Sequence, residues 1–199
     1  MSSDVTVCIP SIPPRGHLLN RALASVTRQS RPPDAISVAI DHLRQGAAAT
    51  RNRAWRAATT EFVAFLDDDD EFHAHHLEHL LNVQSETSAD LVYPWHRIIG
   101  PDGHTQLPDL LNSKGLAFDP IELEIRNYIP ITLLVRRSLL EEVDGFPLPF
   151  SERWPCQDCE DWACWKSLSA AGAKFVHTPE ETWDWHHHGY NTSGMSTNW

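Results

Sequence analysis

The first half of the chain switches between short apolar runs and segments whose apolar residues return with a helical period. Residues 5–10 (VTVCIP) are an apolar, β-branched run closed by proline, which predicts a buried strand. Over 17–29, Leu19, Leu23 and Val26 recur on one face with Leu18 and Ala22 beside them, predicting a helix that Arg31-Pro32-Pro33-Asp34 ends. Residues 35–40 (AISVAI) predict a second buried strand, stopping at Asp41. The Ala- and Arg-rich stretch 47–58 is helical by propensity. A third strand, 61–66 (EFVAFL), runs directly into Asp67-Asp68-Asp69-Asp70. A helix over 74–84, with Leu77, Leu80 and Leu81 inward, and a strand over 90–93 follow.

Successive β-α-β units with continuous apolar strands imply a mostly parallel sheet with helices on both faces and right-handed crossovers. Ligands of such sheets sit at the carboxyl ends of the strands, where Asp41 and residues 67–70 both fall. Later, 96–100 with the turn Pro101-Asp102-Gly103 predicts a hairpin, and 107–128 has no clear pattern. A strand over 131–135 and a short helix over 138–143 follow. The next helix, 160–171, has Trp162, Trp165 and Leu168 at helical spacing and Gly172 as its cap, and a short strand over 174–177 comes last. No repeat or low-complexity tract divides the 199 residues, so one domain is expected.

Composition narrows the function classes. Sixteen Lys and Arg against 27 Asp and Glu give a formal charge of -11, which argues against a broad nucleic-acid surface. A small anionic ligand held through a metal ion stays compatible, because the cation reverses the local sign. No apolar run reaches the roughly 20 residues of a transmembrane helix, and the N-terminus lacks a secretory pattern; the expectation is a cytoplasmic protein. Cys156 and Cys159 have the spacing of a redox or zinc pair, but no second pair accompanies them, and an incidental or structural role is expected. No G-x-G-x-x-G, P-loop or G-x-S-x-G pattern is present.

Three clusters could carry chemistry. Asp67 to Asp70 repel one another, and no basic residue follows nearby in sequence to offset them. Solvated acidic runs rarely start at the end of a buried strand. Asp-x-Asp there can give one or two carboxylates to Mg²⁺ or Mn²⁺ while a phosphorylated substrate supplies the rest. His186-His187-His188 could be a metal cluster, a strand edge or a tag remnant; ordinary sequence follows it, and alternation would place His186 and His188 on one side. Glu160 and Asp161 open a helix, where the macrodipole favours acids in any case, or they place a general base. His73, His75, His76 and His79 are expected on a solvated helix surface, and the late tryptophans either in the core or along an acceptor groove.

In this order the segments resemble family 2 of the inverting glycosyltransferases, which have the Rossmann-like GT-A fold. Val5 to Ser11 resembles the family's first strand and nucleotide loop, Leu23 to Ser30 its first helix, and Ala49 to Arg53 its Ala-Arg-Asn segment. Phe62 to Asp70 resembles its metal-binding strand end, Asp144-Gly145-Phe146 its Gly-Gly-Phe element, Glu160-Asp161-Trp162 its Glu-Asp helix, and His188 to Ser193 its C-terminal His loop. The likeness is close over about 90 N-terminal residues and patchy after them. Two departures stand out: Asp41 is followed by His42-Leu43-Arg44 where the family has Asp-Asp-Gly-Ser, and Asp144 replaces a glycine.

The resemblance implies roles. Pro10, Ser11, Asp41, Arg51, Asp67 and Asp68 would hold the nucleotide sugar, with Asp41 and Arg51 reading the base. Asp69 and Asp67 would bind Mn²⁺ or Mg²⁺, completed by His188 or alternatively His186. Asp161 would be the catalytic base and Glu160 its support. Residues 1–95 would form the nucleotide-sugar-binding half and 96–199 the acceptor-binding half, without a further C-terminal domain or membrane helix. The partners would be a UDP-leaning sugar donor and an unidentified hydroxyl acceptor, whether glycan, protein, lipid or modified nucleobase. The alternatives are a metal-dependent hydrolase of nucleotide sugars or phosphate esters, and a non-catalytic nucleotide-sugar-binding module.

Overall fold

The expected strand–helix rhythm is present in the computed structural model, whose described residues are 4–106, 116–148 and 160–187. β1 (Val5–Ser11), α1 (Gly16–Thr27), β2 (Ala35–Ile40), α2 (Ala47–Arg56) and β3 (Phe62–Phe65) form two successive crossover units, with β1 parallel to both β2 and β3. Then come β4 (Glu71–Phe72), α3 (His76–Thr87), β5 (Leu91–Ile99) and its hairpin partner β6 (Thr105–Gln106). α4 (Pro120–Ile125), β7 (Leu134–Arg136), α5 (Arg137–Glu142), α6 (Glu160–Ala170) and β8 (Phe175–His186) follow.

These strands make one mixed sheet in the order β2-β1-β3-β7-β5-β8-β4, with β6 on β5. β1, β2, β3, β5 and β8 all run the same way, while the short β4, β6 and β7 oppose them, so the sheet is mostly parallel. Alternation along the strands feeds two cores. Val5, Val7, Ile9, Phe62 and Ala64 pack with Ala22, Val26, Leu77 and Leu80 of α1 and α3. Cys8, Val63, Phe65 and Tyr93 pack on the other face with Trp55, Leu140, Trp165 and Leu168 of α2, α5 and α6. Trp165 and Trp183 are core residues, and Trp162 is half-buried with its indole N–H donated to Leu123 O at 2.6 Å.

Three elements depart from the sequence reading. β2 is not buried: it is an edge strand covered on one face, where Ser37 Oγ donates to Ala54 O at 2.8 Å, while Ile36, Val38 and Ile40 are exposed by 41%, 38% and 38%. An apolar run reports that a strand forms, not that helices will cover both its faces. The last strand has 12 residues rather than four, because its outer half is held by β4 and the far end of β5 instead of by its own apolar pattern. The β5–β8 register shifts after Pro94 and Thr178, next to Pro94 and Pro179, neither of which has an N–H for the ladder. α4 lies within the stretch without a pattern, yet Asp119 caps it by accepting from Ile121 N and Glu122 N at 2.8 and 3.2 Å, with Pro120 in the first turn.

Of the histidines around the start of α3, the side chain of His75 is exposed as expected, but His73, His76 and His79 are not on a solvated surface. His76 is fully buried, stacked on Phe72 with centroids 3.8 Å apart, and its Nδ1 meets Thr182 Oγ1 at 2.8 Å. His79 Nε2 meets Thr178 Oγ1 at 2.7 Å, and His73 Nε2 meets Asp184 Oδ1 at 2.8 Å. Together they join α3 to the long β8, a partner invisible at the sequence level. Asp184 also accepts from Arg97 Nε and Nη2, both at 2.8 Å. Burial pushes its carboxyl up, but His73 and Arg97 outweigh that and hold it at about 2. A depressed carboxyl stabilises the fold above its unfolded value of 3.8 and loses that contribution as pH falls toward about 2. Asp184→Asn is therefore expected to cost about 2 kcal/mol near neutral pH, discounted for the exposure of Arg97, and less at about pH 3. Denaturant melts of both proteins check it; an equal gap at the two pH values contradicts it.

Candidate active site

The acid run is carried to the carboxyl edge of the sheet by β3. The ladder persists to Leu66, whose N–H donates to Cys8 O at 3.1 Å; the chain then turns, Asp70 N–H donating to Asp67 O at 3.1 Å, and enters β4. β4 pairs with β8 through Glu71 and Asp184, which fixes the far side of the turn. His186 N–H donates to Asp70 Oδ1 at 2.9 Å. The turn gathers Asp67, Asp69 and Asp70 so that one carboxylate oxygen from each lies within 4.8 Å of the others. Three hard oxygen donors suit Mg²⁺ or Mn²⁺ and not a thiolate-seeking metal, so these residues fit the expected divalent cation. Asp68 faces the end of β1, where Ser11 Oγ donates to its Oδ2 at 2.6 Å.

Three arginines distant in sequence supply the missing positive charge. Arg15 Nη1 donates to Asp68 Oδ1 at 3.0 Å and Asp69 Oδ2 at 3.2 Å. Arg21 Nη2 donates to the backbone oxygen of Asp69 at 2.5 Å, and its Nε pairs with Glu71 at 3.1 Å. Arg51 Nη2 reaches both oxygens of Asp67 at 2.8 and 3.0 Å, while its Nη1 pairs with Glu160. The compensation is partial. Burial raises the Asp67 carboxyl above its ordinary range, Arg51 opposes, and Asp69 and Asp68 add to the rise. Asp70 is pushed up further by burial and by Asp69 and Asp67, against the His186 N–H and Arg21. Such a cluster gains from one more cation.

Through Arg51 the cluster is tied to α6. Glu160 and Asp161 occupy its first turn. Asp161 Oδ1 accepts from Asn127 Nδ2 at 3.1 Å and from Trp162 N at 2.7 Å, which sets the direction of the carboxylate. Helix α2, carrying Arg51, is anchored next to it by Asn52, whose Nδ2 donates to Phe146 O at 2.7 Å and whose Oδ1 accepts from Phe146 N at 3.0 Å.

The other residues singled out from the sequence fall as follows. Pro10 and Ser11 end β1, and Asp41 follows β2 at the same edge. Asp41 is buried and shapes the loop before α2, accepting from Gln45 N at 2.9 Å and Gly46 N at 2.8 Å. Burial pushes its carboxyl up, but those two N–H groups and Arg53 prevail and hold it below the ordinary range. The imidazole of His186 faces Glu71, Nε2 to Oε1 at 3.1 Å. His188, Trp154, Cys156 and Cys159 lie outside the described residues. Asp70, Arg15, Arg21 and Asn127 were not assigned roles from the sequence. A tight turn after Asp67 would have flagged Asp70; the other three come from segments with no local signal.

A family model described as glycosyl transferase family 2 matches residues 35–144. Among solved structures, S. aureus TarS 1-349 in complex with UDP superposes with a TM-score of 0.67 at 17% identity, covering 92% of this chain and 60% of that one. TarS 1-349 in complex with UDP-GlcNAc gives 0.69 at 18% identity, covering 92% and 58%. Against the longer S. aureus TarS structure the values are 0.66 and 17%, with 92% and 37% covered. The chain thus spans about three-fifths or less of these proteins, and at such identity the likeness speaks for the fold, the GT-A arrangement. No curated protein matches the chain.

Proposed function

The chain belongs to glycosyl transferase family 2, and from that premise we propose that it transfers a sugar from a UDP-linked donor to an acceptor hydroxyl, with a divalent cation and with inversion at the anomeric carbon. The observation that carries this reading is the convergence of Asp67, Asp69 and Asp70 at the carboxyl end of β3. The choice of UDP is supported by two of the similar TarS structures, which are complexes with UDP and UDP-GlcNAc.

In this reading residues 1–95 bind the donor, with Pro10, Ser11, Asp41 and Arg51 around the nucleoside and Asp67 and Asp68 toward the sugar and diphosphate; residues 96–199 bind the acceptor. Asp67, Asp69 and Asp70 hold the ion, with His186 or His188 as a further candidate. When bound, the ion acts as a Lewis acid that stabilises charge on the leaving diphosphate. Asp161 takes the acceptor hydroxyl's proton while the new C–O bond forms and the bond to the diphosphate breaks. Glu160 holds Arg51 in place beside Asp67.

Among the described residues no helix is long and apolar enough to cross a membrane. Calorimetry with UDP tests the reading: binding should require Mn²⁺ or Mg²⁺ and should weaken at least tenfold in Asp69→Asn, roughly the scale that even outer-shell changes reach. UDP binding indifferent to both the cation and Asp69 would remove the metal from the reading.

A further inference from the structure

Arg15 sits on the Pro13–Arg15 turn between β1 and α1, on the solvent side of the acid cluster. Its side chain is 33% exposed, whereas those of Asp68 and Asp69, which it bonds at 3.0 and 3.2 Å, are 4% and 9% exposed. A single guanidinium nitrogen therefore stands between two buried carboxylates, one of them that of Asp69, a member of the triad that fits a divalent ion. The other two arginines are committed elsewhere. Arg51 is buried between Asp67 and Glu160, and Arg21 binds the backbone of Asp69 and the carboxylate of Glu71.

We propose that Arg15 is a resident counter-cation for the metal site: it neutralises Asp69 in the free protein, yields that carboxylate when a divalent ion enters with the nucleotide, and then binds the diphosphate. This rests on the metal- and UDP-dependent reading above. Two cations compete for one carboxylate, so the guanidinium must weaken binding of the ion by itself. Once UDP is present, the same group gains a new anion, and the planar fork of arginine suits phosphate oxygens. Pro13 and Pro14 restrict the backbone of the turn, which leaves the exchange to the rotamers of the side chain. The consequence is ordered occupancy: the ion alone binds weakly, and ion and nucleotide reinforce each other.

The two roles have opposite signs, and a purely structural arginine would not produce both. In Arg15→Met, Mn²⁺ titrated alone and followed by electron paramagnetic resonance should bind about tenfold tighter than to wild type, the scale of one charge-assisted hydrogen bond. At saturating Mn²⁺, UDP should bind the same variant about tenfold more weakly. Arg15→Gln removes the same charge and serves if the Met variant does not keep the wild-type melting temperature. Mn²⁺ affinity unchanged or weakened in a folded variant, or unchanged UDP affinity, overturns the proposal while leaving the transferase reading in place. Wild-type protein that binds neither Mn²⁺ nor UDP overturns both.

Discussion

Asp161→Asn is expected to lower sugar transfer by about 10²–10⁴-fold while UDP binding in the presence of Mn²⁺ stays at the wild-type level. The substitution is nearly isosteric. The amide oxygen can still accept from Asn127 Nδ2 and Trp162 N, so the first turn of α6 keeps its geometry. What disappears is the capacity to take a proton. Asp161 is not in the triad that fits the ion, and it is Glu160, its neighbour, that is linked to Asp67 through Arg51. Steady-state turnover paired with UDP calorimetry separates the two effects. Full turnover in Asp161→Asn would mean that another group is the base or that the reaction retains configuration.

The second large effect is on stability. Gly145→Ala should cost about 2–5 kcal/mol, combining the penalty of left-handed backbone for a residue with a side chain and that of overpacking. Gly145 has φ of 58° and ends α5 in a paired hydrogen-bond motif, its N–H donating to Leu140 O at 2.7 Å while Asp144 N donates to Glu141 O at 3.2 Å. A Cβ there would stand 2.5 Å from Asn52 Oδ1, 2.6 Å from Trp55 Nε1 and 2.8 Å from Trp55 Cζ2. Neither neighbour can retreat: both are buried, and Asn52 is bonded to Trp55 Nε1 and to both backbone groups of Phe146. Asp144, at φ 57°, is the contrast. Its side chain is 82% exposed and pairs with Arg56 at 2.5 Å, so Asp144→Gly should change stability by less than about 1 kcal/mol. Equilibrium denaturation of the two variants decides it; a Gly145→Ala protein as stable as wild type would mean that the loop repacks freely.

Asp144 also shows how a departure from a family pattern can be absorbed. A glycine is favoured where φ is positive, but aspartate is among the residues that visit this region most readily, and here its side chain points to solvent.

Much of the N-terminal half was legible in the chain itself. The apolar runs at 5–10, 35–40 and 61–66 became β1, β2 and β3, and the parallel crossovers followed from the helices between them. Asp41 and the acid run accordingly share one edge of the sheet. The burial of β2, by contrast, was misread, since hydrophobicity of a strand does not reveal which faces acquire a helix. His73, His76 and His79 were misread for the same reason, because their partners Asp184, Thr182 and Thr178 lie about 100 residues on, with separations of 111, 106 and 99.

Local order, set by apolar periodicity, turn residues and helix caps acting over a few residues, belongs to the sequence alone: the strands, most of the helices, the edge where ligands gather and the acids that gather there. Charge compensation belongs to the tertiary structure. Arg15 and Arg51 meet the acid run from 53 and 16 positions away, and His186 from 116, because the order of strands in the sheet decides which distant loops share an edge. Electrostatics act through space, so four adjacent carboxylates with no basic neighbour in the chain are tolerable once folding brings those guanidinium groups and N–H donors to them.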